Sequence, residues 1–441
     1  MVSPDPLTRR DQTFEPRSQK LWPLAALPLT VWRNHTPAWP SLARFPRRKL
    51  LGASLSRGIL LDVMKIGLIC PYNIALGGGV KEHILAVQAE LLARGHEVYI
   101  ITPQPRDMDS PETKYKNLIF VGTSTDFNSP LHTTVQVSAG LNDDIDRMLE
   151  EHQFDILHFH EPWIPMLSRQ ILMRSRSINV ATFHAKLPET VMSRTLAKVV
   201  TPYTKSVLKY IHHYTAVSEA AADYISKLTD EPITIVPNGI DLTYYKAPSA
   251  HHDQRRHKTI FYVGRLENRK GVRHLLEAYQ LLTAENKNVS LVIAGNGPDR
   301  AKLEAMVENL ELPNVQFLGY ISEDEKLRYL KRADLFCSPA LFGESFGIVL
   351  LEAMATGLVT VAGDNPGYAA VMKGLGALSL VNPKHHAEFA RRLHVLLYEA
   401  DLRKLWRSWA SEQIVQYGYP TIVTQYESVY KKALAAHNRL S

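Results

Sequence analysis

Short apolar runs alternate with amphipathic stretches along most of the chain, and the alternation begins sharply at Met64. Residues Ile66–Cys70 form an apolar run of strand type, Val80–Arg94 carries helical spacing, and Val98–Thr102 is apolar again. Gly95 supplies the stop between helix and strand. Ile156–Phe159 and Asn179–Phe183 are further short runs of the kind shown by parallel strands covered on both faces. The chain turns polar between Pro248 and Lys258, the best linker, and the pattern then restarts. Thr259–Val263, Val289–Ala294, Val315–Leu318, Leu335–Ser338 and Thr360–Ala362 read as strands. Val272–Thr283, Arg300–Leu310, Ile348–Ala355 and Ile422–Ala436 read as helices. Alternation of this kind predicts parallel sheets joined by crossover helices. Two series in succession predict an α/β protein with two Rossmann-like, doubly wound parallel-sheet domains facing a cleft, and ligands beyond the carboxyl ends of the strands.

The predicted division is an extension over residues 1–63, a first domain over 64–248 and a second over 249–417. The extension holds eight prolines and three of the six tryptophans and shows no sustained period. Its acidic residues and the lack of a clear small-residue cleavage site do not fit a signal peptide. Met64 is the expected biological start, with 1–63 an upstream or disordered extension. The extension also changes the meaning of the net charge of +7: residues 1–63 contribute +6, and the other 378 residues only +1. A nucleic-acid surface on the folded body is therefore not expected. Cys70 and Cys337, the only cysteines, lie at strand ends, which fits buried thiols in a reducing cytosol and not a disulfide framework. No apolar run reaches the roughly 18 to 20 residues of a membrane-spanning helix.

The candidate chemistry is concentrated at strand ends. Gly343-Glu344-Ser345-Phe346-Gly347 forms a tight turn that opens the apolar helix Ile348–Ala355. A glycine turn at a helix start gathers free backbone N–H groups and the positive end of the dipole, a site for a diphosphate. Glu352 lies about two helical turns beyond Glu344, inside an apolar run, where a carboxylate needs partners. Strand Thr259–Val263 ends in Gly264-Arg265-Leu266-Glu267-Asn268-Arg269-Lys270, so Arg265 and Lys270 place two cations where a leaving diphosphate would develop charge. Gly77-Gly78-Gly79 joins the first strand to the first helix; Glu82 stands where a dinucleotide fingerprint needs glycine, but Gly79 still lets a phosphate or acceptor approach. His184 ends the run Ala181–Phe183. Gly295 and Gly319-Tyr320-Ile321 close other second-half strands, where Tyr320 or Ile321 could lie beside a base. His158 and His160 share a strand face with Glu161 next to them, a pattern more often structural than metal-binding. The pairs His212-His213, His251-His252 and His385-His386 are adjacent, and adjacent side chains diverge. No metal or other cofactor is expected.

The paired glutamates, the GESFG turn and the following EAMATG helix resemble the signature of family-4 retaining glycosyltransferases of the GT-B fold. The resemblance runs from Met64 to the C-terminus. It is nearest in flavour to the GDP-mannose-dependent phosphatidylinositol mannosyltransferases, through Ile66–Tyr72, Leu157–Pro162, Ala181–His184 and Pro237–Asp241. It implies that Glu344 contacts the donor sugar and Glu352 the ribose. Arg265, Lys270, Gly79 and the Phe346-Gly347-Ile348 turn would hold the diphosphate, Gly295, Tyr320 and Ile321 the nucleoside, and His184 the transferred sugar. It further implies that residues 418–441 return to the first domain. The partners implied are a nucleotide-sugar donor and a lipid or glycan acceptor, for a cytoplasmic enzyme with the inner membrane face as an option. There is a departure: the helix Leu141–Glu151, which in that family is basic and membrane-docking, is acidic here. Thr123–Pro130, read as the loop before it, lacks the arginine the family offers to the acceptor. Arg194, Lys198, Lys205 and Lys209 fall on one helix face and could substitute, although a solvated face explains them as well. Three other functions share parts of the pattern: a nucleotide-sugar 2-epimerase, a dinucleotide-dependent oxidoreductase and a non-catalytic nucleotide-sugar-binding scaffold. A UDP-sugar-dependent glycosyltransferase acting on a different acceptor is the alternative within the family.

Overall fold

In a computed structural model, residues 63–74, 78–104, 117–128, 134–164, 166–185, 194–246, 255–285 and 288–437 are described, with the backbone alone for 124–128, 134–139 and 194–199. The expectations for the extension, Gly77, His251, His252, the side chains of Arg194 and Lys198 and most of the polar linker lie outside the described residues. Leu61–Ser441 forms one compact unit.

The first sheet is built from β1 (Lys65–Ile69), β2 (Glu97–Gln104), β3 (Leu118–Asn128), β4 (Thr134–Ala139), β5 (Ile156–His160), β6 (Ile178–Phe183), β7 (His213–Ala216) and β8 (Ile233–Ile235). Their spatial order is β4-β3-β2-β1-β5-β6-β7-β8. All neighbours are parallel except β3 and β4, which pair antiparallel from Thr123↔Ala139 to Asn128↔Thr134. Thr123–Asn128 is thus strand, not loop. Its polar residues are tolerated because an antiparallel hairpin at a sheet edge need not bury both faces. The helices of this half are α1 (Gly79–Ala93), α2 (Asn142–His152), α3 (Leu167–Leu172), α4 (Arg194–Leu208) and α5 (Glu219–Ser226).

The second sheet contains β9 (Lys258–Val263), β10 (Val289–Ala294), β11 (Val315–Gly319), β12 (Leu335–Ser338), β13 (Thr360–Gly363) and β14 (Leu380–Val381). It is parallel throughout, in the order β11-β10-β9-β12-β13-β14. It carries α6 (Val272–Glu285), α7 (Arg300–Asn309), α8 (Glu323–Arg332), α9 (Ile348–Ala355), α10 (Pro366–Ala369), α11 (His386–Tyr398) and α12 (Ala400–Gln413). The last helix, α13 (Tyr419–His437), leaves this half. Its Ile422, Val423, Tyr426, Val429 and Tyr430 join a core with Ile66, Leu68, Ile84, Val87 and Leu91 of β1 and α1. Polar bonds fix its register: Tyr430 Oη lies 2.7 Å from His158 Nδ1, and Glu427 takes Arg94 and His96.

Strand order reverses between β1 and β5 in one sheet and between β9 and β12 in the other. A crevice opens at each such switch point, beyond the strands' carboxyl ends. The segments that leave those ends are 70–79, 161–166, 264–271 and 339–347, so the two glycine turns and the basic loop all fall there.

Behind the second sheet, Trp406 of α12 is fully buried and donates its indole N–H to Ser379 Oγ at 2.8 Å. Trp406→Ala should lower the unfolding free energy by about 3–5 kcal/mol, the usual cost of truncating a buried aromatic. Urea unfolding followed by fluorescence would measure it; a loss under about 1 kcal/mol would show that this layer does not hold the second half together.

Candidate functional site

The start of α9 is shaped by backbone constraint. Gly347 caps it in the left-handed region, with φ 103°. A Cβ there would meet the Tyr368 ring at 2.7 Å, and Tyr368 is itself fixed by a 2.7 Å bond to Ser338. Only glycine fits the position. The helix beyond it is apolar except for Glu352 and buried from Leu350 to Ala355, which pins its N-terminus at the crevice. Phe346 is buried against Tyr417 and anchors the turn from below.

The first half reaches this point directly. A Cβ on Gly79, the first residue of α1, would lie 3.3 Å from Ile348 Cδ1. Ser218, the N-cap of α5, donates its hydroxyl to the carbonyl of Ser345. Two helix starts, α1 and α9, therefore face one place from opposite sheets.

Around the turn the charges are paired. Glu344 accepts Lys270 Nζ at 2.7 Å and Arg269 Nη1 at 2.8 Å. Arg269 also meets Glu267 at 2.7 Å, and Arg265 lies 3.8 Å from the same carboxylate. Glu344, Arg265 and Lys270 are thus brought together. Arg269 and Glu267 complete the cluster and went unremarked in the sequence, although both lie in the same loop. Glu352 is buried among apolar neighbours, and its Oε1 accepts Lys326 Nζ at 2.9 Å and the Tyr245 hydroxyl at 3.1 Å. Burial raises its carboxyl above the usual range, and the Lys326 charge opposes the rise. Its Oε2 has no hydrogen-bond partner. Gly295 donates its N–H to Gly319 O at 2.6 Å in a left-handed conformation, where a Cβ would collide with Gly264 O. Ile321 packs on the core, while the Tyr320 ring is 89% exposed.

His184 follows β6 and engages Glu161, His160 and Asn238, all of the first half. Its backbone N–H and that of Ala185 donate to Glu161 Oε1 at 2.6 and 2.5 Å, and its ring nitrogen lies 2.9 Å from His160 Nδ1. His83 of α1 closes the group, with ring centroids 5.2 Å from His184. His158 is structural: one nitrogen meets Tyr430 and the other Thr182 at 2.6 Å. Ligand atoms of His83, His160 and His184 lie within 4.8 Å of one another, close enough for a cation, as do those of His274, Glu277 and His386 on the second half.

Two family models match the chain, "Glycosyltransferase Family 4" over residues 77–244 and "Glycosyl transferases group 1" over 247–413. The phosphatidyl-myo-inositol mannosyltransferase of Mycolicibacterium smegmatis is 30% identical over 378 residues, which cover 85% of this chain and 95% of that protein. The chain belongs to the family-4 glycosyltransferases. This glycosyltransferase also shares 26% identity over 326 residues, 69% of its own length and 72% of the relative's, with the alpha-monoglucosyldiacylglycerol synthase of Streptococcus pneumoniae. Among solved structures, sucrose-phosphate synthase of Thermosynechococcus elongatus superposes with a TM-score of 0.65 at 19% identity, covering 85% of this chain and all of that one, which bears out the GT-B fold. Among the described residues, no helix of the transferase is long and apolar enough to cross a membrane.

The histidine cluster sets a pH dependence. Burial pushes His184 down to about 4 and His158 to about 3, and holds His83 and His160 well below the usual imidazole range. Groups that take protons only on unfolding give stability that is full above about pH 6.5 and is lost as pH falls toward 4. Glu161 has the opposite sign: burial outweighs its two backbone donors and pushes it up to about 8. Its contribution is present below about pH 4.5 and is lost as pH rises through about 8. Four histidines outweigh one carboxyl, so the unfolding free energy, and with it the urea midpoint, should fall on acidification from about pH 6.5 to 4.5, the free energy by up to about 1.4 kcal/mol per pH unit for each uncompensated histidine. Glu161→Gln should steepen that fall and remove the decline near pH 8. A profile flat from pH 7 to 5 would contradict the buried neutral cluster.

Proposed function

We propose that this enzyme is a retaining hexosyltransferase that moves a mannosyl group from a nucleoside diphosphate sugar, GDP-mannose in the first instance, to a hydroxyl of a lipid or glycan. One observation carries the reading: the starts of α1 and α9 converge from two sheets, at 3.3 Å from a Gly79 Cβ to Ile348, beside the Lys270–Glu344 pair. Helix starts bind phosphate oxygens through N–H groups and the dipole. Arg265 and Lys270 would neutralise the charge that grows on the leaving diphosphate, the term that counts most in such a transfer. Gly79, Phe346, Gly347 and Ile348 would supply the backbone around it. The free Oε2 of Glu352 suits a ribose hydroxyl, and Gly295, Tyr320 and Ile321 border the place of the base. Glu344 would accept a sugar hydroxyl, and His184 would touch the same sugar from the first half. The mannosyl choice rests on the mycobacterial relative's name; the S. pneumoniae relative, named for a glucosyl lipid, favours a lipid acceptor but a different sugar.

Retention follows if the acceptor attacks from the face the phosphate leaves. The bond between C1 and the phosphate oxygen breaks, the bond from C1 to the acceptor oxygen forms on the same side, and the acceptor proton passes to the departing phosphate oxygen. The carboxyl group bonded at His184 is that of Glu161, which is buried and committed to two backbone N–H groups, so it is a poor nucleophile. No metal or other cofactor is assigned to this chemistry. Peripheral membrane contact is part of the proposal for a lipid acceptor. The acidic, largely exposed α2 opposes an anionic surface, while Lys205 of α4 and Lys209 just beyond its end are exposed and could meet one.

Incubation with GDP-mannose, UDP-glucose and vesicles of phosphatidylinositol or diacylglycerol, with the product's anomer read by NMR, tests the donor, the acceptor and the stereochemistry together. Transfer from GDP-mannose with retention is expected. Lys270→Ala, Glu344→Gln and His184→Ala should each lower turnover at least about tenfold, about 1.4 kcal/mol of barrier. Unchanged turnover in all three would remove the assigned site, and release of an epimerised sugar without acceptor would replace transfer by epimerisation.

A further inference from the structure

A second cluster of ligating groups lies outside the cleft, where α6 meets α11. His274 and Glu277 stand at i and i+3 on α6 and so project from one face. His386 is the first residue of α11. His274 Nδ1 is 2.9 Å from His386 Nε2. Glu277 Oε2 is 3.3 Å from the first of these nitrogens and 2.6 Å from the second. Three Lewis-base atoms from two helices thus converge on one spot, and the carboxylate oxygen among them is buried without a well-aligned donor.

We propose that His274, Glu277 and His386 bind a divalent transition-metal ion, zinc in the first instance, which clamps α6 to α11. Two imidazoles and a carboxylate match zinc, while calcium and magnesium prefer oxygen alone. Bonds of about 2.0–2.1 Å to a tetrahedral ion put its donors roughly 3.3 Å apart, so side-chain shifts of a few tenths of an ångström suffice. The other oxygen of Glu277 receives Arg273 Nε at 3.3 Å, an outer partner that orients the carboxylate. The three side chains are 19%, 22% and 34% exposed, which leaves a path for the ion and a water as fourth ligand. A groove lined by Asn268, Val272, Arg273 and Glu277 opens beside them. The start of α11 carries the positive end of a helix dipole, which repels a cation. Glu277 therefore has to supply the negative charge. His385 is not part of the site; it precedes the helix, and adjacent side chains diverge.

The test uses the full chain, stripped with a chelator and titrated with Co²⁺ and then Zn²⁺. One equivalent of Co²⁺ should saturate with the visible absorption of a low-coordinate site, and Zn²⁺ should displace it and raise the melting temperature. His274→Ala and His386→Ala should each weaken binding at least about tenfold and abolish the zinc-induced shift, and Glu277→Gln should weaken it as well. His385→Ala should bind like the parent. Circular dichroism and the metal-free melting temperature of each variant separate a lost site from a lost fold. No saturable equivalent would overturn the proposal. So would an equivalent that persists in the His274→Ala/His386→Ala double variant, because the ion would then lie elsewhere, for example at His83, His160 and His184.

Discussion

Two carboxylates have to be kept beside a crevice suited to anions, and the second half is organised around that conflict. An unpaired buried carboxylate costs several kcal/mol and would repel a diphosphate as well. Each is matched by a lysine: Glu344 by Lys270, with Arg269 in support, and Glu352 by Lys326, with the Tyr245 hydroxyl. The pairing turns two liabilities into fixed acceptors. It also ties the loop after β9 to the turn before α9, and α8 to the middle of α9, so the helix start cannot drift from the basic loop. Lys270, held by Glu344, is also the cation that the proposed function assigns to the leaving phosphate.

The first half contributes position more than charge. Its sheet reverses order at β1 and β5, and the segments leaving those strands carry Gly78, Gly79 and Glu161 to the crevice. The hydroxyl of Ser218 holds the carbonyl of Ser345, and α13 packs on β1 and α1 with Tyr430 bonded to His158. A chain that crosses back in this way adds a second tie between the two halves besides the Ser218–Ser345 bond. The buried histidines behind His184 extend the same logic: neutral imidazoles fill the space beside the crevice, His83 bonded to Tyr426, His158 to Thr182 and Tyr430, and His160 to His184, without adding charge to it.

The alternation of short apolar runs with helical spacing was enough to locate most strands, because parallel strands buried on both faces are largely apolar. The turn before α9 was equally legible, since a glycine turn opening a helix that is apolar apart from Glu352 has few alternatives. The β3–β4 hairpin was not, because Thr123–Asn128 is rich in residues that also favour turns. Partners were harder than elements. Lys326 reaches Glu352 across 26 residues, Tyr245 across 107, and Ser218 reaches Ser345 across 127. Nothing local marks those pairings; they exist only once both sheets are closed. Arg269 was within reach, being adjacent to Lys270, but a run of basic residues does not say which one faces the acid.

Amide hydrogen exchange with and without saturating GDP addresses the convergence of the two halves most directly. The account predicts slowed exchange at the start of α9, from Gly347 to Leu350, together with the start of α1 around Gly79 and Val80, in the same complex. Protection confined to one of these helix starts, or found at neither, would contradict it.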